Sequence, residues 1–283
     1  MYPITLTKQL DDIEICGMRL KDLEHPDFEY PWEIIAWQRE NALKIVELRI
    51  TDYELREKNV YVGKNVAIDQ FVIFNTDQGV IIIDDCAHVY PFSYIEGPCY
   101  IGAHTEIKSH SQIRKNTSIG HHCKIGGEVS GSIFQPYTNK AHHGFVGDSY
   151  IGSWVNLGAG TTTSNLKNTY GPVRIEYSGE KIDTGMQFLG CIIGDYVKTA
   201  INTSIYTGKI IGVYAQLFGC VTENIGSFVM DTHEGKKVFE LESAIRAQKR
   251  SFERRGIEQK EEDIEFLKRV FEETKDERSF ISV

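Results

Sequence analysis

The sequence predicts an all-β main domain, folded as a left-handed parallel β-helix, with an N-terminal helix and a C-terminal α-helical appendage. Apolar residues recur at a spacing of six from Ile95 to Ile125, and a second register of the same spacing, with Thr199 as its polar member, runs from Ile193 to Leu217. A period of six fits neither an α-helix nor plain strand alternation, so each hexad is predicted to be a short strand followed by a corner. Three hexads then make one triangular coil, and residues eighteen apart stack about 4.8 Å from each other on successive coils.

Each hexad indicates how a coil packs. In the hexad from Ile101 to Glu106 the isoleucine is predicted to point inward, and Gly102 follows it where the chain is expected to turn tightly. A small residue fills the second inward position. Because one coil cannot bury its own core, at least three coils are needed, and the ends of the stack must be covered.

The hexads begin near Val62 and end near Phe218, which divides the chain into three parts. Residues 1–58 contain a predicted helix over Pro31 to Leu48, which we expect to lie across the first open coil. Residues 59–230 form the β-helix domain. In the tail, 231–283, helical spacings on both sides of Gly256 predict two amphipathic helices that cap the coil or pack on its side; an oligomerisation bundle is the alternative.

Two interruptions break the hexad count, at residues 126–145 and 163–187. Both are longer than a corner needs, so both are predicted to be loops extruded from the solenoid, where functional residues are common. The second contains the runs VRIEY and KIDT around Ser-Gly-Glu, which predicts a small hairpin.

Composition excludes some functions. With 31 Lys and Arg against 40 Asp and Glu, the net charge of −9 argues against binding to nucleic acid or to an anionic membrane surface. The six cysteines are scattered and are expected to be reduced. No apolar run is long enough to cross a bilayer, so a cytoplasmic location is expected. His104 and His122, eighteen residues apart, are expected to stack, but the spacing typical of a shared metal site is missing and we expect no metal.

The segment VNLGAGTTTSN, residues 155–165, is the most specific motif in the chain. It resembles the NxGAGTxTxN signature in the acetyltransferase half of bifunctional N-acetylglucosamine-1-phosphate uridyltransferase/glucosamine-1-phosphate acetyltransferases, a hexapeptide-repeat family. The resemblance extends upstream through KAHHGFVGDSYIGSW and covers about residues 60–220. It implies an N-acyltransferase that uses acetyl-CoA as acyl donor, acts on an amino sugar or its phosphate or nucleotide derivative, and works as a homotrimer.

The resemblance also assigns roles to residues. Counting back from Gly147 and Asp148 places His142 on the general base of the family, and His143 is the rival if the loop alignment shifts by one. A group that titrates near neutrality suits proton removal from an attacking amine. Asn165 is the second expected catalytic residue.

Further positions are expected to bind substrate or coenzyme. Arg114 matches an arginine that binds the sugar phosphate, and Phe145 stands where the family usually has a tyrosine. Two basic residues of the family have no counterpart, and nearby lysines are their candidate replacements. The complete set of expected substrate ligands is Arg114, Lys140, Phe145, Asn156 and Lys167, and that of coenzyme ligands is Lys198, Ile201 and Gly219.

A second reading remains open at this point. The chain can also be a non-catalytic β-helix that trimerises or regulates a separately encoded sugar nucleotidyltransferase, and the two missing basic residues favour this reading. Residues 1–58 contain no glycine-rich nucleotide loop, so we expect no uridyltransferase activity in this chain.

Overall fold

The computed structural model describes residues 1–281 and has the predicted architecture, a left-handed parallel β-helix. Its three faces are parallel sheets, except that the end strands Glu54–Glu57 and Gly235–Val238 pair antiparallel with their neighbours. Register confirms the stacking of residues eighteen apart, because Ile101 pairs with Ile119 and Ile107 pairs with Ile125. The inward isoleucines of the first register are fully buried; they are Ile95, Ile101, Ile107, Ile113, Ile119 and Ile125.

The three faces are named here by the order in which the chain meets them. The strands of the first face are Glu54–Glu57, Val60–Val62, Ile81–Ile83, Cys99–Ile101, Thr117–Ile119, Ile133–Phe134, Tyr150–Ile151, Cys191–Ile193 and Lys209–Ile211. The strands of the second face are Ala67–Ile68, His88–Val89, Glu106–Ile107, Lys124–Ile125, Asn139–Lys140, Lys198–Thr199, Gln216–Leu217, Val229–Thr232 and Gly235–Val238. The strands of the third face are Ile73–Asn75, Tyr94–Glu96, Gln112–Ile113, Glu128–Ser130, Phe145–Gly147, Thr162–Thr163, Ser204–Ile205 and Cys220–Val221.

The hexad glycine has a different role from the one predicted. The tight turn is made two residues later, where His104 adopts the left-handed conformation with φ of 57°. Gly102 is needed because a Cβ at this position would lie 2.6 Å from the carbonyl carbon of Gly120 on the next coil. The glycine therefore permits close stacking of coils.

The left-handed corner residues between the first and second faces form an aromatic ladder. The stacking of His104 on His122 is confirmed, with ring centroids 4.6 Å apart. The ladder continues to the last coils, and its members are His104, His122, Tyr137, Trp154, Tyr196, Tyr214 and Phe228.

The two predicted C-terminal helices are present as α2 (Leu241–Glu253) and α3 (Glu261–Glu273). They pack on the side of the coils, against the aromatic ladder. The ring of Phe252 lies 4.7 Å from that of Trp154, and the ring of Phe271 lies 4.9 Å from that of Phe228. A 3-10 helix, Lys275–Arg278, follows them.

The N-terminal helix α1 (Pro31–Glu47) has the predicted bounds to within one residue, but the expectation that it covers the first open coil is wrong. It lies along the outside of the first face, where Ile34 and Ile35 are buried. The physical reason is that this face carries apolar residues on its outer side as well, among them Ile82 and Tyr100. The smaller N-terminal elements are Ile4–Leu6, Leu10–Asp12, Glu14–Ile15, Met18–Arg19, Leu20–Asp22 and Ile50–Asp52.

Of the two predicted loops, only the second is extruded. Its hairpin is confirmed, with Arg174–Tyr177 pairing antiparallel with Glu180–Asp183. Residues 126–145 instead form a coil with strands on all three faces. Lys140 pairs with Ile125 and occupies an inward position. Because inward positions are otherwise apolar, this lysine breaks the pattern by which the hexads were recognised in the sequence. None of the helices within residues 1–281 combines the length and hydropathy that a bilayer span needs.

Candidate active site

A cavity of about 360 Å³ lies on the second face, beside its corner with the third face. Its floor consists of outward residues on successive coils, because Lys124 pairs with Asn139 and Asn139 pairs with Asn156. His142 and Ile201 lie along the corner on one side. The end of α2 closes the other side with Arg254 and Arg255.

His142 and His143 are both exposed, and His142 is the one that lines the cavity. They lie in the loop between strands Asn139–Lys140 and Phe145–Gly147. The carbonyl of His143 accepts a hydrogen bond from the backbone N–H of Gly160 on the next coil, at 3.1 Å. His142 is therefore placed where a ligand in the cavity can reach its imidazole.

Lys140 anchors this loop from inside the solenoid and does not reach the cavity. Its side chain is buried, with the residue 2% exposed. The ammonium donates hydrogen bonds to the carbonyls of Gly126, His142 (3.1 Å) and Gly144 (2.8 Å). Burial lowers the pKa of Lys140 to about 8. The structure thus places Lys140 behind the candidate base, away from any position where it could bind a sugar phosphate.

The two asparagines expected in the site are separated. Asn156 lines the cavity, and its neighbours on the adjacent coils are Asn139 and Lys198. Asn165 lies on the third face, where its amide donates a hydrogen bond to Oδ2 of Asp148 at 2.7 Å. Oδ1 of the same carboxylate accepts from Arg39 of α1 at 2.9 Å. The amide of Asn165 is therefore engaged in a polar cluster that ties α1 to the coil.

Phe145 and Arg114 also belong to the third face. A Cβ added at Gly147 would lie 2.4 Å from the ring of Phe145 and 2.7 Å from the amide nitrogen of Asn165. The side chains of Phe145 and Asn165 therefore lie together on the surface over Gly147. The guanidinium of Arg114 lies 3.8 Å from the carboxylate of Glu96 and 3.7 Å from that of Glu128. The positive charge of Arg114 is therefore partly offset by two carboxylates.

The remaining expected ligands occupy different places. Lys198 lies next to the cavity, and its ammonium donates to the carbonyl of Trp154. Burial, with the nearby charge of Arg254, lowers the pKa of Lys198 to about 8. Ile201 is 68% exposed on the cavity wall, and Gly219 has open space where a Cβ would lie. Lys167 lies in the excursion that follows Asn165 and does not line the cavity.

Arg254 and Arg255 were not predicted as site residues. Nη2 of Arg255 donates a hydrogen bond to Oδ1 of Asn139 at 2.8 Å, which fixes the end of α2 over the second face. The basic run KRSFERR, ending at Arg255, was the available signal in the sequence. It pointed to no site because nothing local shows that α2 folds back onto coils more than a hundred residues earlier.

Comparison with known proteins shows related sequences of greater length. The chain is 38% identical over 143 residues to a bifunctional sugar-1-phosphate nucleotidylyltransferase/acetyltransferase of Sulfurisphaera tokodaii, covering 50% of this chain and 36% of that protein. It is 37% identical over 207 residues to the bifunctional protein GlmU of Methanococcus vannielii, covering 73% of this chain and 46% of that protein. The chain thus spans less than half the length of these curated relatives.

No family model matches the chain. Among solved structures, the Francisella novicida UDP-N-acetylglucosamine acyltransferase aligns over 80% of this chain and 90% of that one, with a TM-score of 0.38 and 16% identity. The hexad repeat, the triangular coil and the sequence identity to the GlmU-type proteins agree with one another. The chain is a relative of the GlmU-type bifunctional proteins over the part of their length that it shares, and its described residues have the hexapeptide-repeat, left-handed β-helix fold.

Proposed function

We propose that the chain is an N-acyltransferase that moves an acyl group from acyl-CoA, with acetyl-CoA as the expected donor, to the amine of an amino sugar or of its phosphate or nucleotide derivative. The observation that carries this proposal is the position of His142, which is exposed on the wall of a polar cavity and held there by Lys140. The acetyltransferase activity in the name of the Sulfurisphaera tokodaii relative supports the reaction class.

In the proposed reaction the amine nitrogen attacks the thioester carbonyl while the imidazole of His142 accepts a proton from that nitrogen. The tetrahedral intermediate then collapses, the C–S bond breaks, and the proton passes from the imidazolium to the leaving thiolate. The products are an amide and free CoA. A positioned base of this kind contributes about two to four orders of magnitude to the rate.

The roles of the other residues are part of the proposal. Asn156 faces the same cavity as His142 and is proposed to orient the acceptor. Asn165 and Phe145, with Arg114, are proposed to act from the third face, and Lys167 from the adjoining excursion. Lys198, Ile201 and Gly219 are proposed coenzyme contacts; of these, Ile201 lines the cavity directly.

A homotrimer with active sites at subunit boundaries is also proposed. It is supported by exposed apolar side chains along the corner between the second and third faces, which include Phe71, Phe92, Ile201 and Phe218. Light scattering at micromolar concentration tests this state, and a stable monomer contradicts it. The cytoplasmic location stays a prediction.

The decisive experiment is a thiol-release assay with acetyl-CoA against a panel of amino sugars and their 1-phosphates. We expect saturable, amine-dependent release, which His142→Ala lowers by about two or more orders of magnitude without loss of folded protein. His143→Ala is the matched control and should retain most of the turnover. Full activity of His142→Ala would contradict the assigned base.

The alternative is a non-catalytic β-helix that partners a sugar nucleotidyltransferase. One observation favours it: the amide of Asn165 and the guanidinium of Arg114 are both engaged by carboxylates of the chain itself. The same assay separates the two functions, because a binding module releases no thiol with any acceptor.

A further inference from the structure

The cavity is unusual in the balance of charge around it. Together with a narrow cleft that adjoins it, it is lined by Lys124, Lys198, Arg254 and Arg255, and no Asp or Glu within residues 1–281 lines either space. This excess contrasts with the chain as a whole, which carries a net charge of −9. A local concentration of positive charge in an acidic protein points to an anionic ligand.

We propose that Arg254 and Arg255, at the end of α2, form with Lys198 a binding site for a phosphate group of one of the two substrates. The inference rests on the proposed function, because the ligand is taken to be either the acyl-CoA donor or a phosphorylated sugar acceptor. It assigns the C-terminal helices a role in ligand binding besides covering the aromatic ladder.

The two arginines have no acidic partner among the residues that the structure describes. Neither guanidinium forms an ion pair with a carboxylate of residues 1–281, whereas Lys124 is paired with Glu106 at 2.8 Å. Arg255 is partly buried and uses one N–H on the Asn139 amide, so most of its five donors remain for a ligand. A guanidinium fork of this kind matches the oxygens of a phosphate.

Lys198 lies close enough to Arg254 for the two positive charges to repel each other. Its ammonium is partly buried against the backbone of Trp154, and both burial and Arg254 act against its charged form. A phosphate dianion between Lys198 and the arginines would offset this repulsion and favour the charged form of the lysine. The site is therefore built to gain from an anion.

The register of the second face sets the size of the site. Lys124, Asn139, Asn156 and Lys198 lie on four successive coils, which places the first and last of them roughly 14 Å apart at ordinary strand spacing. This length accommodates a phosphate or pyrophosphate together with part of a sugar or pantetheine chain. His142 lies on the opposite wall, so a ligand held by the arginines extends toward the proposed base.

The test is direct binding, measured by isothermal titration calorimetry, for the wild type, Arg254→Gln, Arg255→Gln and the double variant. The probes are CoA, 3′-dephospho-CoA, glucosamine 1-phosphate and glucosamine. We expect each single substitution to weaken the binding of a phosphate probe by about tenfold, with a larger loss in the double variant. Arg246→Gln is the control and should bind as the wild type does, because this arginine of α2 is exposed, hydrogen-bonds Ser243 of its own helix and does not line the cavity.

The probes separate the two sources of phosphate. A loss confined to CoA assigns the site to the acyl donor, and a loss confined to glucosamine 1-phosphate assigns it to the acceptor; either supports the inference. Equal affinity of the wild type and the double variant for every probe would overturn it, as would absence of millimolar or tighter binding of any phosphate probe to the wild type. Arg254 is exposed and its substitution leaves the Asn139 contact intact, so this variant keeps the test valid if Arg255→Gln unfolds.

The outcome is also distinct from that of the proposed function. Arginine-dependent binding without thiol release would leave the phosphate site standing and remove the acyltransferase. Thiol release that depends on His142 but is unchanged in Arg254→Gln and Arg255→Gln at subsaturating substrate would support the acyltransferase and remove the phosphate site.

Discussion

Lys140 provides the sharpest test of how the active-site loop is held, because it places a cation inside a solenoid core. The change is Lys140→Met, which keeps the length and apolar stem of the side chain and removes the ammonium. The carbonyls of Gly126 and His142 then lose their lysine donor, and that of Gly144 keeps only the N–H of Glu128.

The expected magnitude follows from two opposing terms. Lowering the pKa from 10.5 to about 8 corresponds to a cost of about 3 kcal/mol for keeping the buried lysine charged at neutral pH. Each hydrogen bond from a charged donor contributes about 1.5–3 kcal/mol, and three are lost. The bonds outweigh the cost of burial, and we expect Lys140→Met to lower the free energy of unfolding by about 2–6 kcal/mol.

The assays are urea unfolding and the thiol-release assay, with Lys64→Met, an exposed lysine of the same solenoid, as control. Turnover should fall because the loop that carries His142 loosens, and it should fall equally for phosphorylated and unphosphorylated acceptors. A rise in KM confined to the phosphorylated acceptor would instead support the phosphate-binding role expected from the resemblance. A variant as stable as the wild type would refute the energetic reasoning.

A pH-dependent difference should accompany this loss. The folded pKa of Lys140 lies below its unfolded value of 10.5, so the unfolded chain binds more protons between about pH 8 and 10.5. The wild type should therefore gain stability relative to Lys140→Met as the pH rises through that window. Melting temperatures of both proteins across the window measure the difference, and a constant gap would contradict the assigned burial.

Two further predictions concern the coil itself. Ile107→Asp buries a carboxylate in the core of the β-helix and should abolish soluble folded protein, whereas Ile107→Val should fold. Expression yield and far-ultraviolet circular dichroism measure the outcome. A folded Ile107→Asp variant would contradict the inward position of Ile107. Burial and two neighbouring histidines lower the pKa of His122 to about 4, so the unfolded state takes up a proton at a higher pH than the folded state does. The wild type should therefore lose stability relative to His122→Phe as the pH falls from about 6.5 to 4. A difference in melting temperature between the two proteins that stays constant over this range would argue against the lowered pKa.

Much of the fold was predictable because its determinants are local and repeat. Inward residues such as Ile101 and Ile119 recur at a fixed spacing, and each corner depends on a few adjacent residues, so short-range periodicity specifies the coil. The hairpin of Arg174–Tyr177 and Glu180–Asp183 was likewise apparent from two strand-like runs around a turn. The resemblance of residues 155–165 to the family signature directed attention to His142, and the structure places this residue on the wall of a cavity.

Features that depend on contacts between distant segments could not be derived in this way. Helix α1 covers the first face because Ile82 and Tyr100 are apolar on the outside of their strands, a property that the hexad pattern, which reports inward positions, does not contain. Whether α1 covers an end or a side is decided by where apolar surface remains exposed once the coils have stacked.

The sequence by itself determined the solenoid, its extruded hairpin, two terminal helical segments and a histidine loop beside a recognisable motif. Only the tertiary structure decided that Lys140 points inward to hold that loop, that Asn165 is bonded to Asp148, and that Arg254 and Arg255 return to the second face. The physical reason is that a repeat specifies its own local geometry, whereas the direction of a lysine and the docking of a helix depend on which partners are free across a hundred residues of chain.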